Sequence, residues 1–220
     1  MAEVVLIYGK SGAGKSRSLK NFAEDEIFYV NVNDKRLPFN KKFKYTLATD
    51  KVDKILEKVK AMPCKVAVVD DAGYIMSRMF MDGHGKGDQF KLYNDIADEM
   101  WKLILGLKSL PDSHSKIVYL TFHEDKGDMG DSKLLTIGKL LDQKCNLEGL
   151  CNVVLHCIVK GGKHIFLTNS DGYDIAKSPE EMFPLEIDND LKAVDTRIRE
   201  YYLMDDNVPD VLLGEEKKTK

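Results

Sequence analysis

The chain has 220 residues, 43% hydrophobic and 31% charged, with 33 basic side chains against 36 acidic ones. That length suits one α/β domain with a real core, and no apolar run approaches a membrane span, so the expectation is a soluble protein without membrane contact. A net charge of −3 argues against a strongly basic surface that coats nucleic acid, so any DNA contact must come from local loops.

Glu3–Tyr8 reads as a buried strand and leaves no room for a signal peptide. Gly9-Lys10-Ser11-Gly12-Ala13-Gly14-Lys15-Ser16 is a complete G-x-x-x-x-G-K-[ST] loop, and the segment from Ser16 through Arg17 to Phe22 leads out as a helix. Strand, glycine turn and helix are the context this motif requires. The glycines let backbone N–H groups point inward around a β-phosphate at the positive end of the helix dipole. Lys15 would reach the β- and γ-phosphates and the Ser16 hydroxyl would ligate Mg²⁺. The chain is therefore expected to bind a nucleoside triphosphate, ATP, with Mg²⁺.

Ile27–Val32 is a second strand, followed by a polar, Lys-rich loop over 33–42 and a short strand over Phe43–Leu47. Asp50 is placed to cap a helix carrying Val52, Ile55, Leu56 and Val59, which Pro63 stops. Val66-Ala67-Val68-Val69-Asp70 is the clearest buried strand, and it ends in a carboxylate suited to an oxygen-seeking Mg²⁺ beside Ser16. Asp71 would orient the attacking water or cap the segment after it. Asp34 competes as the catalytic carboxylate, and Glu124 is a third candidate.

Residues 82–88 form a glycine loop with His84 and Lys86. A long helix comes next over about Gln89–Leu110, its buried stripe marked by Phe90, Tyr93, Ile96, Met100, Ile104 and Leu107, with Pro111 past its end. Tyr93 and Trp101 read as core rather than as base-stacking platforms. Ile117–Phe122 is a buried strand ending in His123, which would face a γ-phosphate and move the charged loop after it; the alternative is a solvent-facing histidine. A helix over about 138–148, a hairpin of Val153–Val159 with His164–Thr168 through Gly161-Gly162, and a helix near Asp190–Tyr202 complete the domain, 1–205, before a charged tail, 206–220, expected to be disordered. Cys64, Cys145, Cys151 and Cys157 form no C-x-x-C pair and read as reduced, buried thiols of a cytosolic protein; a widely spaced metal set of Cys145, Cys151, His156 and Cys157 is the alternative.

Strands alternating with helices imply a mostly parallel sheet wrapped on both faces, with ligands at the carboxyl ends of the strands. The P-loop, Val-Val-Asp-Asp at 68–71, Tyr93-Asn94-Asp95-Ile96 to Trp101, Thr121-Phe122-His123-Glu124 and Phe166-Leu167-Thr168 leading to Ala176-Lys177 together resemble the RecA-like phage ATPases of the AAA type. The resemblance implies an ATPase that binds nucleotide between subunits of a ring or filament, and mobile loops, here 82–88 and 124–133, that meet single-stranded DNA in recombination or replication. It implies that Lys177 approaches the neighbour's phosphates, that a single-strand-binding or annealing protein is a partner, and that a phage-encoded chain works in the host cytoplasm. The region after strand two departs from the pattern by offering Asn33 and Asp34 instead of a glutamate, and no RecA-type N-terminal polymerisation segment is present. A nucleotide-gated assembly or adaptor protein and a small-molecule kinase are the rival readings; five scattered arginines fit a kinase lid poorly.

Overall fold

The computed structural model describes residues 1–111, 113–127 and 130–204; the tail at 206–220 lies outside the described residues. The expected mixed α/β architecture is present. Nine strands form one sheet in the order β3-β2-β4-β5-β1-β7-β8-β9, with β6 paired to β5. β1 (Glu3–Gly9) is central, parallel to β5 (Ile117–Lys126) and to β7 (Val153–Lys160). β2 (Ile27–Asn31), β3 (Tyr45–Ala48) and β4 (Val66–Asp70) continue the parallel sheet on one side. On the other side β8 (Lys163–Leu167) returns antiparallel from β7, and β9 (Glu186–Asp188) closes the edge. β5 thus stands between the P-loop strand and the strand that ends in Asp70.

The period-two alternation of strand side chains divides the interior into two cores. Val4, Leu6 and Tyr8 enter one, with Ala67, Val69, Val118, Leu120 and Phe122; Val5 and Ile7 enter the other, with Val66, Val68, Ile117 and Tyr119. The first core is covered by α1 (Val52–Lys60), α2 (Gly73–Gly83), α3 (Gln89–Lys108) and α4 (Lys139–Gln143). The second is covered by α5 (Leu191–Tyr202) and by the 3₁₀ turn Ser16–Asn21 that leaves the P-loop, through Leu19, Phe22, Val194 and Ile198. Asp88 and Asp190 cap α3 and α5, each carboxylate accepting two N–H bonds of the first turn.

Several local expectations need correction. The P-loop leads into a 3₁₀ turn, not a regular α-helix. Asp50 does not cap α1; Lys51 occupies that position without a side-chain bond, and the Asp50 carboxylate faces Lys51 and Arg78 instead. No element is expected over 72–81, yet α2 covers Gly73–Gly83 and takes in the first two residues of the expected loop 82–88; a glycine at each end and no side-chain cap conceal it. The loop after His123 is largely a hairpin, because β5 runs on to Lys126 and returns as β6 (Ser132–Leu134); residues 128 and 129 lie outside the described residues. The helix expected over 138–148 is only α4 and a separate 3₁₀ turn, Glu148–Leu150. Phe90 is exposed, and Tyr93 and Trp101 also reach solvent, so only the later part of the α3 stripe is core. Among the described residues no helix is long and apolar enough to cross a membrane.

Candidate nucleotide-binding site

The P-loop emerges where β1 ends between β5 and β7, and its glycines have specific reasons. A side chain on Gly9 would place Cβ 2.2 Å from the Cys157 carbonyl oxygen of β7. Gly14 has a φ of +111°, which side-chain-bearing residues rarely adopt, and a Cβ there would meet the His164 ring. His164 Nδ1 and the Cys157 thiol both reach the Ala13 carbonyl, at 2.7 and 3.2 Å. Arg17 reaches Asn189 Oδ1 at 3.3 Å, which ties the loop's exit to the start of α5. Lys10, Ser11 and Gly12 form the outer turn and also line a second cleft toward β7.

Lys15 is almost fully buried, and its ammonium donates to the carbonyls of Gly9 and Lys10 at 2.8 and 3.0 Å. Burial lowers its pKa, opposed by the negative charges of Asp71 and Asp70. The cleft in front of it, about 340 Å³, is lined by Ser16, Tyr29, Lys35, Asp70, Asp71 and His123 among others.

Strand parity explains how the distant residues arrive. Asp70 continues the Val66, Val68 series toward the P-loop turn, and Thr121 continues Ile117 and Tyr119 on the same face. The Ser16 hydroxyl donates to Asp70 Oδ2 at 2.7 Å, the Tyr29 hydroxyl donates to the same oxygen at 2.9 Å, and the Thr121 hydroxyl donates to Asp70 Oδ1 at 2.7 Å. Three hydroxyls therefore hold a buried carboxylate in one orientation. Tyr29 and Thr121 had no sequence signal of their own, since they lie in ordinary strand runs.

Asp71 turns sharply out of β4 with φ +61°, a conformation an aspartate tolerates better than most residues. Its N–H donates to Thr121 Oγ1 at 2.7 Å. Its Oδ2 accepts from Asn33 Nδ2 at 2.9 Å and from Lys35 Nζ at 2.8 Å. Burial raises its pKa, but the bonds from Lys35 and Asn33 outweigh this and hold it below the ordinary carboxylate value. His123 Nε2 lies 3.5 Å from Asp71 Oδ1 yet is buried without a hydrogen-bond partner, while its ring stands edge-on to Tyr74. Burial, then the positive charge of Lys15, lowers the His123 pKa, so the imidazole is held toward its neutral form.

The other candidate acids are elsewhere. Asp34 is exposed and lines a neighbouring cleft between β2 and β3. Glu124 is not in the Lys15 cleft but lines the second one, beside Lys10, Ser11 and Gly12: its Oε2 lies 3.3 Å from His156 Nε2, and its Oε1 accepts from Ser132 and Lys126. His156 stacks on Tyr8 and presents its other nitrogen to Asp174. Lys177 pairs through its backbone with Val154, whose strand partner Leu6 lies three residues before Gly9. That is roughly 10 Å behind the P-loop along the strand. The alternative metal set at 145, 151, 156 and 157 does not assemble. Among the described residues no group of three His, Cys, Asp or Glu side chains could hold a metal, and the four cysteines are free. Burial pushes the Cys151 and Cys157 thiols up to about 12.

Residues 1–179, from the P-loop strand past the β7–β8 hairpin, match the family model of the AAA domain. The chain belongs to that family. No curated protein matches the sequence. Membership makes this AAA domain a nucleotide-binding domain of the ATPase class.

Proposed function

We propose that this AAA domain is a Mg²⁺-dependent ATPase that acts on single-stranded DNA in phage recombination or replication. The observation that carries the reading is the convergence of Ser16, Asp70, Asp71 and His123 around Lys15, drawn from separate segments of the chain. Ser16 Oγ and Asp70 Oδ2 are hard oxygen donors already 2.7 Å apart, and they fit a magnesium ion as ligands, directly or through water. When bound, Mg²⁺ supplies positive charge that offsets the triphosphate. The buried, unpartnered His123 Nε2, in the tautomer that carries its proton there, can donate to a γ-phosphate oxygen.

In this reading Lys15 exchanges its two carbonyl contacts for the β- and γ-phosphates. Asp71 orients a water whose oxygen bonds to the γ-phosphorus as the bond to the bridging oxygen breaks. ADP leaves with that oxygen, and the water's proton passes to the Asp71 carboxylate and then to solvent. His123 reports the γ-phosphate to the β5–β6 hairpin, which continues from the same strand.

Contact with single-stranded DNA is supported by what lies between the two expected loops. Exposed Phe90, with Tyr93, Lys139, Asp125 and the Lys133–Asp142 ion pair, lines a cleft of about 680 Å³ between the start of α3 and the hairpin side. Aromatic faces beside cations suit unpaired bases and their phosphates. Assembly into a ring or filament, with Lys177 serving the neighbour's nucleotide, a single-strand-binding or annealing protein as partner, and a place in the host cytoplasm follow from the resemblance to RecA-like phage ATPases.

A second reading, a nucleotide-gated adaptor without turnover, is favoured by one observation: Asp71 is already paired with Lys35 and Asn33. ATP turnover measured with and without single-stranded DNA, in Mg²⁺ and in chelator, for wild type and Lys15→Ala, decides between them. Mg²⁺-dependent turnover that is absent from Lys15→Ala supports the ATPase; tight ATP binding with no turnover under any condition supports the adaptor.

A further inference from the structure

We propose that Lys35 is a phosphate-binding residue that distinguishes a triphosphate from a diphosphate, by leaving the Asp71 carboxylate for the γ-phosphate and so releasing Asp71. The proposal rests on the reading that the P-loop cleft holds a nucleotide.

Lys35 belongs to the Lys-rich loop between β2 and β3, a feature of the sequence that the P-loop alone does not use. It lines the same cleft as Lys15 and Ser16. Its only carboxylate contact among the described residues is to Asp71 Oδ2, at 2.8 Å, and its side chain is 58% exposed. The ammonium end of this pair is open to water although the Asp71 side chain is only 13% exposed, so Lys35 can exchange Asp71 for another anion without leaving a buried position. The ammonium also stands 5.0 Å above the Tyr74 ring, a contact that guides the stem without fixing the head.

The two cations of the cleft feel one another. The charge of Lys35 contributes to lowering the Lys15 pKa and also disfavours a proton on His123. Lys15, Lys35 and neutral His123 therefore surround one small space, with Asp71 as its nearest negative charge. A γ-phosphate entering that space brings more negative charge than Asp71 offers, and it is reachable by rotation of a four-carbon side chain. A diphosphate ends short of it.

Departure of Lys35 does not dislodge Asp71. The carboxylate keeps the Asn33 bond on the same oxygen, and the Asp71 N–H keeps Thr121. What changes is that one carboxylate lone pair becomes available to a water. The pairing of Asp71 with Lys35 is thereby coupled to arrival of the γ-phosphate, which reconciles a paired acid with turnover.

The test is calorimetric titration of a non-hydrolysable ATP analogue and of ADP, each with Mg²⁺, into wild type, Lys35→Met, Lys35→Arg and Asp71→Asn. Wild type should prefer the triphosphate. Lys35→Met should reduce that preference about tenfold, the scale of one charge-assisted contact, through weaker triphosphate binding with ADP affinity held; Lys35→Arg should restore part of it. Asp71→Asn should strengthen triphosphate binding, because Lys35 then has no partner to give up. An unchanged triphosphate-to-diphosphate ratio in Lys35→Met overturns the proposal while leaving the P-loop reading intact. A wild-type protein that binds neither nucleotide overturns both. Lys35 is exposed, so a normal thermal melt of Lys35→Met is expected and is checked beside each titration.

Discussion

The Thr121 hydroxyl donates to Asp70 Oδ1 over 2.7 Å, and its oxygen accepts the N–H of Asp71 over the same distance. One side chain from β5 therefore fixes the carboxylate of one acid and the backbone of the next. Thr121→Val keeps the shape and removes both bonds. Leaving a buried N–H and a carboxylate oxygen unpaired should cost about 1–3 kcal/mol of stability, read as a lower midpoint in denaturant melts. Turnover should fall as well, because Asp70 and Asp71 lose their common reference point. A variant with wild-type stability would show that these bonds are replaced by water at no cost.

Lys15→Ala and Asp70→Asn separate binding from metal dependence. A single charge-assisted bond is worth about 1.5–3 kcal/mol, so loss of the Lys15 ammonium should weaken ATP binding by at least roughly 10–150-fold. Asp70→Asn should instead raise the Mg²⁺ concentration needed for half-maximal turnover, with a smaller effect on nucleotide affinity. Titrations of ATP and of Mg²⁺ against turnover check both. Asp70→Asn that matches wild type at limiting Mg²⁺ would remove Asp70 from the metal site.

His123 makes two predictions that share a cause. Its folded-state pKa lies below the ordinary value of about 6.5, through burial first and the charge of Lys15 second. The unfolded chain therefore takes up the proton more readily. The contribution of neutral His123 is complete above pH 6.5, starts to fade as pH falls below it, and is gone once pH passes the folded value. Denaturant melts at pH 7.5, 6.5 and 5.5 should show wild type losing more stability on acidification than His123→Gln. In turnover assays at neutral pH, His123→Ala should keep near-normal nucleotide affinity and lose DNA stimulation, and stimulation that survives would assign coupling to another residue.

Phe90→Ala should weaken single-stranded DNA binding without affecting the fold, because the ring is exposed. A single stacked base is worth about 1–3 kcal/mol, or roughly 5–150-fold in affinity. Fluorescence anisotropy with a labelled oligonucleotide measures it, and equal affinities for the two proteins would move DNA away from this cleft.

Lys177 lies too far behind its own P-loop to serve it, so its action must be across an interface if it acts at all. Mixing Lys177→Ala with Lys15→Ala protein should then recover activity that neither has alone, since some interfaces pair an intact P-loop with an intact Lys177. No recovery in mixtures shown by native mass spectrometry to form mixed oligomers would end that assignment.

How much of this was legible in the chain depended on whether the information was local. Gly9 to Ser16 is contiguous, and Asp70 ends an unbroken apolar run, so both were visible at once. Asp71, Asp34 and Glu124 could not be ranked in sequence. Ranking them requires knowing that Asp71 leaves β4 into the cleft while Glu124 turns toward His156. Tyr29 and Thr121 gave no signal of their own, because only sheet register brings them to Asp70, and Lys35 was one of several lysines in the polar loop after β2 with nothing local to single it out. The short edge strand β9 and the uncapped α2 were missed because neither has the length or the boundary residues that periodicity needs.

The alternation that sends Val66, Val68 and Asp70 to one face makes the interval between them intolerant of insertion or deletion. A residue added in the turn at 61–65 moves nothing that matters, since the strand re-enters in register. A residue added within Val66–Asp70 keeps the composition apolar and the ladder pairable, yet it rotates everything beyond the insertion by half a period. Asp70 would then face α2 and α3, among Phe122 and Met76, as an unpaired charge in an apolar core. Length variation among descendants of this chain should therefore be found in the turn at 61–65 and be missing from Val66–Asp70 and from Asp71, whose N–H Thr121 holds.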